Sequence, residues 1–109
     1  MDIVYIYVIG QECGPVKVGI SQKPWDRVAT IGTSAPFKVS LLYCYPAKSR
    51  TQARFYEEEF HEIHFNVQLW GEWFKITPEA AIAAIQASLE LEYPYEDVKP
   101  QRRAQESSR

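Results

Sequence analysis

Four side chains of this 109-residue chain have the types and spacing that phosphate chemistry asks for: Tyr7, Lys17, Arg27 and Glu57. Tyr5 and Tyr7 are two apart in a run of β-branched and aromatic residues, so they project to one face of a strand. The next extended run, Lys17-Val18-Gly19-Ile20-Ser21, holds a glycine where another backbone or a ligand can approach closely. Arg27 follows Gly19 by eight residues, at the start of the next helix. A guanidinium there presents a planar fork of donors suited to a phosphate. Taken singly, each of these residues also has an ordinary reading: tyrosines packed under helices, a solvated Lys17, a surface Arg27.

A second cluster lies on a longer helix. Ala53, Tyr56, Phe60, Ile63 and Val67 recur at three- and four-residue intervals and form its buried stripe. At about 100° per residue, Glu57, His61 and His64 fall along one flank of that stripe, with Arg50 and Arg54 on the same side. Glu58 points away from the core and Glu59 lies on the opposite flank. Of three consecutive glutamates, Glu57 is therefore the one placed for a cleft beside a sheet. Glu-x-x-x-His-x-x-His can also hold zinc on one helix face, but two boundary histidines are the commoner outcome, and we take that reading.

The elements that must position these groups follow from local signals. Residues 2–9 and 16–20 read as strands joined by the Gly10–Pro15 turn, a hairpin. Pro24 suits a first helical turn, and Gly32 closes that helix. Residues 37–45 form a third strand, which Pro46 is expected to stop. Ser49 and Gln52 make a capping-box signature for the long helix, which runs to about His64. Gly71-Glu72-Trp73-Phe74-Lys75-Ile76 is a turn and a short strand. Thr77, Pro78 and Glu79 then supply cap, N1 proline and early acid for a last helix to about Leu89. The order ββαβα(β)α implies an α+β domain over residues 1–90, a small, mainly antiparallel sheet covered by helices. Residues 91–109 read as a charged tail without a fixed structure. Trp73 is assigned to the core rather than to base stacking.

Composition bounds the function. Net charge is −2, but residues 1–56 carry +4, residues 57–98 carry −9 and the last eleven +3. A basic N-terminal half is compatible with a phosphate-facing surface. No apolar run is long enough to span a bilayer, and no leader precedes the first strand, which implies a cytoplasmic protein without a membrane partner. Cys13 and Cys44 are too few for a disulfide framework.

In order and spacing, Tyr-x-Ile in the first strand, Val16-Lys17-Val18-Gly19 in the second, Arg27, the Glu57-x-x-x-His61 helix and Gly71-Glu72-Trp73-Phe74 together resemble the GIY-YIG nuclease superfamily, in its divergent phage and bacterial branch. The likeness covers residues 2–88 and implies a core of a three-stranded antiparallel sheet flanked by helices. Lys17 stands where many members have tyrosine, and Ile31 stands where others carry histidine or tyrosine. The resemblance implies a DNA endonuclease that uses a single divalent metal, Mg2+ or Mn2+, bound by Glu57. Arg27 would hold a non-bridging phosphate oxygen, Tyr7 would orient or deprotonate the attacking water, and Lys17 would supply a proton or positive charge. Tyr5, Gly19, Lys23, Arg54 and His61 would line the nucleic-acid surface. The substrate implied is DNA, branched or nonspecific, with a homodimer or protein partner adding selectivity. Two alternatives stand beside it: a nucleic-acid-binding module without catalysis, and a protein-interaction domain on the same fold.

Overall fold

The computed structural model describes residues 3–33 and 37–90. Alternation of side chains along the first hairpin decides what lies on each side of the sheet. Strand β1 (Val4–Gly10) pairs antiparallel with β2 (Val16–Ser21), with Tyr7 opposite Gly19 and Ile9 opposite Lys17. Val4, Ile6, Val8, Val16 and Val18 point to one face and are buried in the core. Tyr5, Tyr7, Lys17 and Gly19 stand on the other face. Helix α1 (Pro24–Gly32) follows, with its proline at the first turn as the sequence implies.

Strand β3 (Ser40–Ala47) pairs with the free side of β1 and continues through Pro46 rather than stopping there. The physical reason is position: β3 is an edge strand, and proline's missing N–H costs no ladder bond on an open edge. Helix α2 (Arg50–Ile63) starts at Ser49, whose hydroxyl accepts from the Gln52 N–H at 3.0 Å. The reciprocal Gln52 contact goes to the Lys48 N–H, at 2.8 Å, one residue earlier than in a standard capping box. Ala53, Tyr56 and Phe60 bury the helix against the core face. Ile63 does not share that burial and is 59% exposed, because the chain breaks into a 3-10 turn (Phe65–Val67) just beyond it.

The sheet has five strands, which corrects the three-stranded expectation. Strands β4 (Gln68–Trp70) and β5 (Trp73–Phe74) form a second hairpin, and β5 adds to the open edge of β2 to give the order β3-β1-β2-β5-β4. Gly71 makes the turn possible by adopting a left-handed φ of 55°. Phe74 then enters the core opposite Val16. Helix α3 (Pro78–Leu89), capped by the Thr77 hydroxyl on the Ala80 N–H, closes the core with Ala81 and Ile85. The tail read over residues 91–109 lies outside the described residues. Among the described residues no helix is long and apolar enough to cross a membrane.

Candidate functional site

The site begins at Gly19. A Cβ there would lie 2.6 Å from the Tyr7 hydroxyl oxygen and 2.8 Å from Glu72 Oε1. Only a glycine lets the phenol from β1 and the carboxylate from the β4–β5 turn meet over the β2 backbone. Glu72 is anchored twice. Its main-chain carbonyl accepts from the Val18 N–H at 3.1 Å, and its carboxylate pairs with Lys17 Nζ at 3.0 Å.

Arg27 approaches from α1 and hydrogen-bonds Tyr7. Burial of Tyr7, which is 1% exposed, pushes its pKa above 10.0, and the Arg27 bond opposes that rise without cancelling it. The phenol therefore keeps its proton near neutral pH. It can orient a water or a phosphate oxygen by hydrogen bonding, whereas service as a base would require a phenolate that its surroundings disfavour.

Helix α2 contributes Glu57. As the helical geometry requires, Glu57 is buried while Glu58 is exposed. Burial is the largest influence on its carboxyl, followed by the charge of Glu72 and a hydrogen bond to it. Together they raise its pKa from 4.5 to about 7, against the opposing charge of Arg54. Glu57 therefore keeps its proton well above the usual carboxylate range, directed to Glu72.

The structure thus gathers Tyr7, Lys17, Gly19 and Glu57 around Glu72, and Arg27 joins the cluster through Tyr7. Sequence reasoning used Glu72 only as part of a fold motif; its signal was an acid placed next to a turn glycine. The remaining expected residues lie at the margin. Tyr5 packs edge-on against Trp25, with centroids 5.5 Å apart. Lys23 is exposed at the N-cap of α1, one turn before Arg27. Arg54 is exposed and acts on Glu57 through its charge. The His61 Nε2–H donates to the Val18 carbonyl at 2.9 Å, closing the edge of β2 where β5 has left it. His64 stacks on Phe60 and its Nδ1–H donates to that residue's carbonyl. Both imidazoles thus have a nitrogen committed to main chain, and among the described residues no group of three His, Cys, Asp or Glu gathers as a metal would need.

The two carboxyls do suit a hard cation in one respect. Two buried or half-buried carboxylates in contact repel as anions, and a divalent ion would relieve that repulsion as the proton now does.

A small α+β domain with a cluster of polar and charged side chains on the α1 side of its sheet defines the class. The chain belongs to the T5orf172 domain family, whose sequence pattern matches residues 2–88. This is a family of nuclease-like and DNA-binding domains, related to the homing-endonuclease-like fold and distinct from the GIY-YIG nucleases. The GIY-YIG resemblance is corrected accordingly. It rested on short motifs whose first half is only an opening hairpin and a helix arginine, while Lys17, Ile31 and the five-stranded sheet depart from that pattern. No protein of curated function and no solved structure matches the chain.

Proposed function

We propose that this domain hydrolyses phosphodiester bonds in DNA at the cluster of Tyr7, Lys17, Arg27, Glu57 and Glu72. The observation that carries the reading is the buried Glu57 carboxyl against Glu72, beside an arginine hydrogen-bonded to a buried tyrosine. Glu57 and Glu72 are the residues that would hold a divalent cation, Mg2+ or Mn2+, which supplies charge stabilisation to the departing oxygen. Arg27 binds a non-bridging phosphate oxygen through its fork of N–H donors. Tyr7, as neutral phenol, orients the attacking water or the phosphate. Lys17 holds Glu72 in place and adds positive charge beside the scissile group.

Incubation with supercoiled plasmid, single-stranded circles and a branched DNA, with Mg2+ or Mn2+, tests the proposal. Cleavage by the parent should fall at least about 100-fold in Glu57→Ala and in Arg27→Ala, the usual scale for removing a charge-stabilising group. Absence of cleavage on every substrate, with Glu57→Ala indistinguishable from parent, would sink it. The Lys17–Glu72 ion pair favours a second reading, a DNA-binding module in which that carboxylate is already neutralised. Binding would then be salt-sensitive, would survive loss of Glu57 and would weaken on Arg27→Ala.

A further inference from the structure

The two most exposed tryptophans bracket this site. Across the hairpins, Tyr7 is opposite Gly19, Ile9 opposite Lys17, Lys17 opposite Trp73, and Trp73 opposite Trp70. Residues paired in this way share a face of the sheet, so Tyr7, Lys17 and Trp73 stand on one side, away from the core, and the Trp70–Trp73 pair beside the turn brings Trp70 to that side, the register of β4 shifting between Trp70 and Gln68. Trp73 is partly covered and packs edge-on against Phe37 at 5.6 Å. Trp70, one strand further out on β4, is 60% exposed. At the usual strand spacing of about 4.8 Å it lies about 10 Å from β2, within reach of nucleotides flanking a phosphate at the site. Trp70 is also two residues from Glu72, so one tight turn fixes both. On the opposite side Trp25, 51% exposed, is two residues before Arg27 and leans its ring on Tyr5.

Isolated exposed apolar residues are ordinary, but these two flank a polar cluster from both sides. Each is also tied by a short piece of chain to one of its charged residues. An indole face open to water beside a phosphate site is suited to a nucleobase, because every base has a π-face. Inside a duplex those faces are covered by neighbouring base pairs. We propose that Trp70 and Trp25 are base-stacking positions on either side of the scissile phosphate, and that the strand bound here is unpaired: single-stranded DNA or the open strand of a branched structure. This rests on the reading of the cluster as a DNA phosphodiester site.

Anisotropy titrations of a fluorescein-labelled oligothymidylate and of a blunt duplex of equal length test it, in buffer without divalent ions so that the strands stay intact. The parent should bind the single strand more tightly than the duplex. Trp70→Ala should weaken single-strand binding roughly 10-fold, the scale of one lost base stack, and Trp25→Ala should act in the same direction. Trp70→Phe, which keeps a ring, should recover most of the loss, and neither alanine variant should change duplex binding. Equal losses on both DNAs, or no loss on either, would overturn the stacking proposal alone, while Arg27→Ala still weakened both. If the parent binds neither DNA, the stacking proposal falls together with the proposed function. Self-association seen by sedimentation and abolished in Trp70→Ala would assign the indole to a contact between copies, and would also overturn it.

Discussion

A carboxyl group removed from water and placed against a second carboxyl takes up a proton more readily, and at Glu57 that has a measurable consequence. Its pKa is 4.5 in an exposed chain and about 7 in the fold. Between those values the folded protein binds more protons than the unfolded one, so stability falls as pH rises from about 4.5 to about 7 and is level above that. Glu57→Gln keeps the shape and the hydrogen bond without the charge. We expect it to flatten the pH dependence and to stabilise the domain by roughly 1–2 kcal/mol at pH 8, read from denaturant midpoints. Mg2+ or Mn2+ should raise the thermal midpoint of the parent at pH 8 and leave Glu57→Gln nearly unmoved. An equal response from both proteins would count against these carboxyls as the cation's ligands. At Gly19 a methyl group must displace both the Tyr7 ring and the Glu72 carboxylate. Gly19→Ala should therefore lose cleavage by at least about 10-fold while costing about 1–3 kcal/mol of stability, the scale of overpacking.

Among the elements, the β4–β5 hairpin carries the most consequence for its size. Two short strands deliver Glu72 to the site, Phe74 to the core and Trp70 to the rim. The turn depends on Gly71 at positive φ, with open space where its Cβ would go. Strain rather than collision is what a side chain there would bring. Gly71→Ala should cost about 1 kcal/mol, and Gly71→Asn less, since asparagine tolerates the left-handed region. Because the turn holds Glu72, the alanine variant should also move the pH profile of cleavage. A shift in stability with an unchanged profile would show that Glu72 is held independently of the turn. Helix α2 has a comparable dependence on its start. Removing the Ser49 hydroxyl should cost about 1 kcal/mol in urea unfolding.

At the scale of the molecule, an acidic chain presents a locally basic site. The net charge of −2 conceals a positive N-terminal half, and that half supplies Lys17, Lys23 and Arg27 on the α1 side of the sheet. If three such cations meet phosphates, raising salt from about 50 to about 200 mM should weaken single-strand binding about 20-fold. A salt-independent affinity would remove phosphate contact as the basis of binding. The assembly also explains why no single element carries the site: β1, β2, α1, α2 and the second hairpin each contribute one polar group.

What the sequence determined by itself is local. The Tyr7–Gly19 hairpin, the proline start of α1, the Ser49 cap, the Thr77-Pro78 start of α3 and the choice of Glu57 over Glu58 follow from strand alternation, helical angle and capping chemistry. All of these act over a few residues. Tertiary structure decided the rest. Pro46 stays in a strand because that strand is an edge, and Ile63 is exposed where the helix ends and the chain turns into the Phe65–Val67 3-10 segment. His61 bonds the main chain of β2 from forty-three residues away. Above all, Glu72 joins the site because β5 pairs with β2, a contact between residues more than fifty apart that no local periodicity encodes. The protonation of Glu57 follows from the same pairing, since burial and a neighbouring carboxylate arise only once distant segments have met.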